Sequence, residues 1–398
     1  VVFCSDRPGA ATVVAVLFGL LTLGVLGLSA RTPAPPGEYC FLLMCSMTGG
    51  VVVGYAGDLV TLIVGLETLT LPLYVLVGLR RTATASASAV TFFLVSVIST
   101  AIALMGAALL FAATGRLHLT ELVNDPSPLS TVGVALIVIG FAFKVAAVPL
   151  HAWAPPTYDG APIPVAAYLS TASKLGGVVA LAAIVTRLDT GPLLAILAVL
   201  TMTVGNLVAL RQTRMVRLLA WSSVAQAGYI LAPLAAGAAG VTAALAYAAF
   251  FVALEFVAFA VIVSLLPPTA DGGEISSYRG VARRSPWQAA ALVLAFAGLA
   301  GLPPGLAGLF AKVTIVDALI DTGWTWLAAV VAINAVIALA YYIRTAAILY
   351  ASPPGVAVAD LRLPKLPVPW PVATVLIVAA ALTAALGFAP QLLFNALT

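Results

Sequence analysis

The sequence predicts an all-α fold, a polytopic transmembrane helix bundle of about twelve spans, and three observations predict it. Of 398 residues, 63% are apolar and only 8% are charged, where soluble domains carry about 25% charged residues. The mean hydropathy is +1.15. The apolar residues run in continuous stretches of roughly 20, the length of a membrane helix, and not in alternating ten-residue strands. Since lipid offers backbone groups no hydrogen bonds, continuous stretches of this kind must satisfy their own as helices.

The segments read in order as 9–29, 39–57, 59–79, 87–113, 130–150, 163–186, 192–210, 216–235, 240–266, 287–320, 324–350 and 369–388. Loop punctuation falls between them at Arg31-Thr-Pro-Ala-Pro-Pro-Gly, Asn124-Asp-Pro-Ser-Pro, Pro267-Pro-Thr-Ala-Asp-Gly-Gly and Ser352-Pro-Pro-Gly. The basic residues test the count, because alternate loops belong to alternate sides. One side collects Arg31, Arg80, Arg81, Arg211, Arg214, Arg217, Arg279, Arg283, Arg284, Arg344, Arg362 and Lys365; the other has only Arg7, Arg116 and Arg187. A span missed early would scramble that split. The rich side is expected to be cytoplasmic, with both termini outside and the bacterial plasma membrane as the location. A net charge of +4 therefore reflects membrane topology and not nucleic-acid binding. Cys4, Cys40 and Cys45 have no metal-ligand spacing; Cys40 and Cys45, in or near an apolar run, are expected to be buried thiols, with no metal site and no redox centre.

Within this apolar background some charges are out of place. Lys365 is in a loop, but Lys144, Lys174 and Lys312 lie inside apolar segments. Each costs at least ~2.5 to 3.5 kcal/mol near mid-bilayer, on the order of 8 to 10 for the three. A chain that uses arginine at its surface keeps lysine at its most expensive positions. Arginine stays charged, whereas lysine is the cationic side chain that can cycle its proton. Glu67 and Glu255 are also intramembrane, and a Glu and a Lys in one apolar bundle can trade a proton as they approach or part. A static ion pair is the competing reading; it weakens when three lysines on separate spans share so few carboxylates. Asp317 and Asp321, late in the tenth segment, read as a helix end near water.

Pro149 follows Lys144 by five residues, and Pro303-Pro304 precede Lys312. Proline breaks a helix, and broken backbone at membrane depth is tolerated where protein buries it or it lines a wet cavity. These fifth and tenth segments are five apart, an odd number, so a five-helix repeat would be inverted. The expected units are an N-terminal span (1–38), a first repeat (39–186), a second repeat (187–350) and a C-terminal span (351–398). His151, seven residues after Lys144, would share its face if the helix continued, and is a candidate relay; an interfacial histidine beside Trp153 is the alternative. Ser170 and Thr171 precede Lys174 by four and three residues, where they would either hold water or satisfy backbone carbonyls. The Arg211, Arg214 and Arg217 series reads as a headgroup or interface contact.

No nucleotide loop, CxxC cluster or HExxH is present, so no cofactor is expected on this chain. Phe143-Lys-Val-Ala-Ala-Val-Pro-Leu-His-Ala-Trp-Ala-Pro-Pro-Thr-Tyr-Asp-Gly, Leu169-Ser-Thr-Ala-Ser-Lys-Leu-Gly, Arg217-Leu-Leu-Ala-Trp-Ser-Ser-Val-Ala-Gln-Ala-Gly-Tyr and Leu299-Ala-Gly-Leu-Pro-Pro-Gly-Leu-Ala-Gly-Leu-Phe-Ala-Lys closely resemble the antiporter-like subunits of respiratory complex I, the N type in particular. Lys312 argues against the M type, which usually has glutamate there, and no long lateral helix of the L type follows the last span.

The resemblance implies a proton-translocating subunit of NADH:quinone oxidoreductase. Glu67 would pair with Lys144, Lys174 would be the central-axis lysine, and Lys312 would be the terminal lysine. NADH, FMN, iron–sulfur clusters and quinone would belong to partner subunits, and the partners would be other membrane subunits, lipid, protons and water. The family's first two spans are expected to be missing from this sequence. Glu255 departs from the family pattern and stands as a candidate relay or ion-pair partner. A multisubunit cation/proton antiporter and a non-transporting scaffold are the alternatives. The arginine and alanine bias suggests a GC-rich bacterial genome.

Overall fold

In a computed structural model, which describes residues 8–352 and 367–397, the chain is helical throughout. Cys4, Arg7, Arg362, Lys365 and most of the Ser352-Pro-Pro-Gly loop lie outside the described residues. The helices are α1 (Pro8–Leu28), α2 (Pro36–Tyr55), α3 (Leu59–Val77), α4 (Ala83–Thr114), α5 (Pro128–Lys144), α6 (Ala154–Gly160), α7 (Ile163–Tyr168), α8 (Lys174–Val185), α9 (Gly191–Ala209), α10 (Met215–Leu234), α11 (Val241–Leu265), α12 (Pro286–Ala300), α13 (Leu306–Asp321), α14 (Thr325–Tyr350), α15 (Trp370–Phe388) and α16 (Gln391–Leu397). A π-helical turn, Leu169–Ser173, joins α7 to α8 into one span. Among the described residues nine helices are long and apolar enough to cross a membrane. The remaining three of the twelve expected segments are the two broken ones and α10, whose apolar run is diluted by Arg217 and Gln226.

Local chemistry sets the helix ends. Asp58 accepts from Thr61 N at 2.8 Å, Thr82 from Ala85 N at 3.1 Å and Ser127 from Ser130 N at 3.2 Å. Proline opens α5 and α12, where its missing N–H costs nothing. The span α7–α8 is wholly buried, and α10 and α11 nearly so, so these form the centre of the bundle. The outer faces of the surrounding helices are apolar, with Leu23, Leu71, Ile98, Ile333 and Val336 exposed, as lipid or a membrane partner requires. Cys40 is on such a face, which corrects the expectation that it is buried; a thiol is apolar enough to stand there.

The fifth segment breaks earlier than its length predicts. Pro149 cannot continue a helix, and α5 stops at Lys144. Ala147 N donates to Ala142 O and Ala146 N to Phe143 O, both at 2.9 Å, with Ala146 left-handed at φ 59°. The tenth segment ends α12 in the same way. Leu302 N donates to Ala297 O at 2.8 Å and Gly301 N to Gly298 O at 2.9 Å, with Gly301 left-handed at φ 82°. In each break a proline follows the left-handed residue by three positions, Pro149 and Pro304.

The loops show a parallel correspondence. The loop before α3 pairs with that after α4 through Asp58 and His118, and the loop before α10 pairs with that after α11 through Arg214 and Glu274. Arg214 is not simply a headgroup contact. It donates to Asp159 Oδ1 at 3.0 Å and Asp271 Oδ2 at 2.8 Å, and Arg80 donates to Asp159 O at 3.2 Å. All four residues belong to the arginine-rich side, as the twelve-segment alternation demands.

Hydrogen bonding from Arg214 holds the Asp271 carboxyl below the usual carboxylate range, more than burial raises it. A lowered value means a stabilisation present above the ordinary pH of about 4 and lost as pH falls through the folded value. With the Asp271 side chain 42% exposed, solvent screening keeps the pair below about 1 kcal/mol. Asp271→Asn is thus expected to lower the melting temperature of the detergent-solubilised protein by a few degrees or less at pH 7, with the difference shrinking as the pH is taken toward 4. A difference that grew on acidification would contradict this reading.

Candidate functional site

Lys144 is the last residue of α5, so its ammonium is at the negative end of that helix. Nζ donates to Glu67 Oε1 at 2.7 Å, Thr70 Oγ1 at 3.1 Å and Ser96 Oγ at 3.2 Å, which uses all three of its donors. Thr100 donates to the same Glu67 oxygen at 2.5 Å. Lys144 is buried, whereas the Glu67 side chain keeps 21% of its surface exposed at the bundle's edge. Gly177 on α8 packs against the lysine stem; a Cβ there would be 2.8 Å from Lys144 Cβ.

One turn before Gly177 on α8 is Lys174, immediately after the π-helical turn, a distortion often found at functional sites. Its Nζ donates to the main-chain carbonyl of Ser223 on α10 at 2.5 Å. Thr171 satisfies the Ala167 carbonyl at 2.6 Å, and Ser170 makes a longer contact of 3.4 Å with it.

Lys312 reaches back from α13 to the free carbonyls at the end of α12, donating to Leu299 O at 3.0 Å and Ala300 O at 2.7 Å. Its Nζ is 5.2 Å from the centre of the Tyr229 ring, a cation–π distance. Both broken spans thus place an amine at a half-helix C-terminus. The match is of span and not of register: Lys144 precedes its break and Lys312 follows its own.

Helix α10 links these amines. Ser223 holds Lys174; one turn on, Gln226 Nε2 donates to Leu299 O at 3.1 Å, the carbonyl that Lys312 also uses. Tyr247 donates to Gln226 Oε1 at 2.5 Å, and Gln226 Nε2 also donates to Tyr342 Oη at 3.1 Å. Tyr229 in turn accepts from Asn206 Nδ2 at 3.0 Å, and Asn206 accepts from Tyr341 at 3.1 Å. Sequence reasoning missed Ser96, Thr100, Asn206 and Gln226; their signal was a polar side chain inside an apolar run.

Glu255 is fully buried on α11 and interacts electrostatically with Lys174. His151 does not share a helix face with Lys144, because α5 ends before it. Its ring is 5.2 Å from Trp221, and Nδ1 is 3.2 Å from Pro149 O. Trp153 is buried, stacks on Phe92 at 4.6 Å and donates to Phe143 O at 3.2 Å. Asp317 and Asp321 are exposed at the end of α13.

Residues 56–338 match the family model described as NADH:quinone oxidoreductase/Mrp antiporter, transmembrane. The NADH-quinone oxidoreductase subunit N of Salinispora tropica is 64% identical over 372 residues, which cover 86% of this chain and 72% of that one. A chain of respiratory complex I from Thermus thermophilus, solved with bound aureothin, superposes with a TM-score of 0.84 at 30% identity, covering 97% of this chain and 86% of that one. A chain of the Mrp complex from Dietzia sp. DQ12-45-1b gives 0.85 at 22% identity over 98% of this chain and 82% of that one, a likeness of fold alone. The family match spans most of the sequence and the curated relative is close: the chain belongs to the NADH:quinone oxidoreductase/Mrp antiporter membrane family, in its subunit N group.

Proposed function

We propose that the chain is the proton-translocating N-type membrane subunit of an NADH:quinone oxidoreductase, with Glu67, Lys144, Lys174 and Lys312 as its proton relay. The observation that carries the reading is the polar file itself. A Glu67–Lys144 pair at 2.7 Å, its lysine buried and its carboxylate partly exposed, is followed by two further buried amines, Lys174 of α8 and Lys312 of α13, held by main-chain carbonyls. Parting the pair leaves the buried Lys144 charge uncompensated unless a proton moves, so making and breaking the Glu67–Lys144 pair gates transfer. Thr70, Ser96 and Thr100 orient the pair; Gln226 couples the Lys174 and Lys312 ends. His151, Ser170 and Thr171 serve as flanking candidates.

Each proton moved against 100 mV costs about 2.3 kcal/mol, so the energy must come from redox chemistry on partner subunits, which would hold the NADH, FMN, iron–sulfur and quinone sites. The same breaks and loop pairings recur five segments apart, which supports two inverted repeats, 39–186 and 187–350, between an N-terminal (1–38) and a C-terminal (351–398) span. The arginine-rich side would face the bacterial cytoplasm.

Lys144→Ala and Lys174→Ala, each in the assembled complex, are expected to cut proton translocation per NADH oxidised by on the order of a hundredfold. Unchanged translocation and quinone reduction in both would refute the relay. Co-purification of electron-transfer subunits separates this function from a multisubunit cation/proton antiporter, whose vesicles would show sodium-dependent proton flux without them.

A further inference from the structure

We infer that Glu255 is the acidic link between Lys174 and Lys312, taking the proton from the Lys174 ammonium and passing it toward Lys312; the inference rests on the relay proposed above. Glu255 is fully buried, and neither carboxylate oxygen has a hydrogen-bond partner among the described residues. Burying a carboxylate without a partner is expensive, so a merely structural acid here would be expected to be fully hydrogen-bonded.

Its surroundings are polar on the side facing Lys174. The Ser170 hydroxyl approaches without reaching hydrogen-bond geometry, and the carboxylate interacts electrostatically with Lys174, with the Tyr158 phenol of α6 and with the Tyr342 phenol of α14. The hydroxyls of Tyr158 and Ser223 are likewise buried without a partner. On the other sides Leu254 packs on Gly298 of α12 and Phe256 on Gly24 of α1, both apolar. Lys312 faces the Leu299 carbonyl and the Tyr229 ring instead.

Of these groups the Tyr158 and Ser223 hydroxyls hold unused hydrogen-bonding capacity, while Lys174, Ser170 and Tyr342 are bonded to Ser223 O, to Ala167 O and to Ser222 and Gln226 and would have to exchange those bonds for the carboxylate. Polar groups lead onward from there: Tyr342 accepts from Gln226, which shares the Leu299 carbonyl with Lys312. The lysine side chain, now on Ser223 O, swings to Glu255. One ammonium N–H bond breaks and one carboxyl O–H bond forms. A buried cation–anion pair becomes a neutral amine and acid with no change in net charge. The proton then leaves the acid toward Lys312, and the amine is recharged from Lys144.

The test uses the whole complex in inverted membrane vesicles. Glu255→Gln is expected to assemble, to lower proton translocation about tenfold or more, and to flatten its dependence on pH. Glu255→Asp is expected to retain translocation with a displaced pH profile, a response a packing role would not give. Wild-type rates and pH profile in Glu255→Gln would overturn the inference. If Glu255→Gln fails to assemble, Glu255→Asp decides: a displaced profile supports the link, an unchanged one overturns it. Lys174→Ala separates the two proposals. Loss of translocation there with a wild-type Glu255→Gln removes this link alone, whereas two silent variants remove the relay itself.

Discussion

Replacing Gly308 by alanine is expected to remove the chain from the assembled membrane complex. At the second break the first turn of α13 lies backbone to backbone against the last turn of α12. A Cβ on Gly308 would stand 1.7 Å from Gly298 O and 2.5 Å from its carbonyl carbon. Neither is the yielding end of a side chain, so the two half-helices must separate. Gly305 closes the same contact, with its Cβ position 2.1 Å from Gly298 N. Small residues are what let membrane helices approach this closely. Overpacking of this severity belongs with the exceptional losses of about 4 to 5 kcal/mol or more, against a total stability of roughly 5 to 15 kcal/mol. The chain's abundance in purified complex, measured by quantitative immunoblot, should fall to a small fraction of wild type. Gly19→Ala, where nothing lies within 4 Å, should leave it unchanged. Normal assembly of Gly308→Ala would mean that the two half-helices are less tightly joined than described.

Gly301→Ala should leave more protein but less transport. Two effects add at this position. The left-handed φ of 82° costs an alanine about 1 to 2 kcal/mol. The new methyl would also lie 2.9 Å from Lys312 Cδ and 3.3 Å from Nζ. Here the obstacle is a flexible side chain, so the fold survives and the lysine moves. Its hydrogen bonds to Leu299 O and Ala300 O, 3.0 and 2.7 Å long, cannot both be kept. If Lys312 carries protons as proposed, displacing it by about an ångström can cost up to a hundredfold in rate. Translocation per NADH oxidised in vesicles should therefore drop tenfold or more, with the assembled complex reduced much less; full transport would show that Lys312 need not be held where it is.

The sequence made the spans legible because lipid imposes one rule: a continuous apolar run must be a helix. The alternation of arginine-rich and arginine-poor loops then fixed the number of segments, and the Arg80, Asp159, Arg214 and Asp271 cluster agrees with it. The breaks were legible from proline, but not their positions. Pro149 ends α5 five residues upstream, at Lys144, because the chain must turn before a residue with no N–H. That shift is why His151 faces Trp221.

The lysines of the site stood out by their cost in hydrocarbon. What they bond to did not, since Ser223, Leu299 and Ala300 act through main-chain carbonyls that every residue carries. The π-helical turn before Lys174 was equally hidden, because no residue type requires it. Gln226 was readable as an uncharged polar residue in an apolar run, but its role needed the packing of α10 on α12 to become visible.

The cradle of Lys312 has a bearing on how such a site is to be probed. Its two oxygen ligands belong to peptide groups, so exchanging the side chains of Leu299 and Ala300 leaves both in place. An alanine scan would pass over them in silence, and their identities can drift over generations without disturbing what they grip. Only intrusion into the space beside them, or a change in the curl of the chain end, reaches this half of the binding geometry.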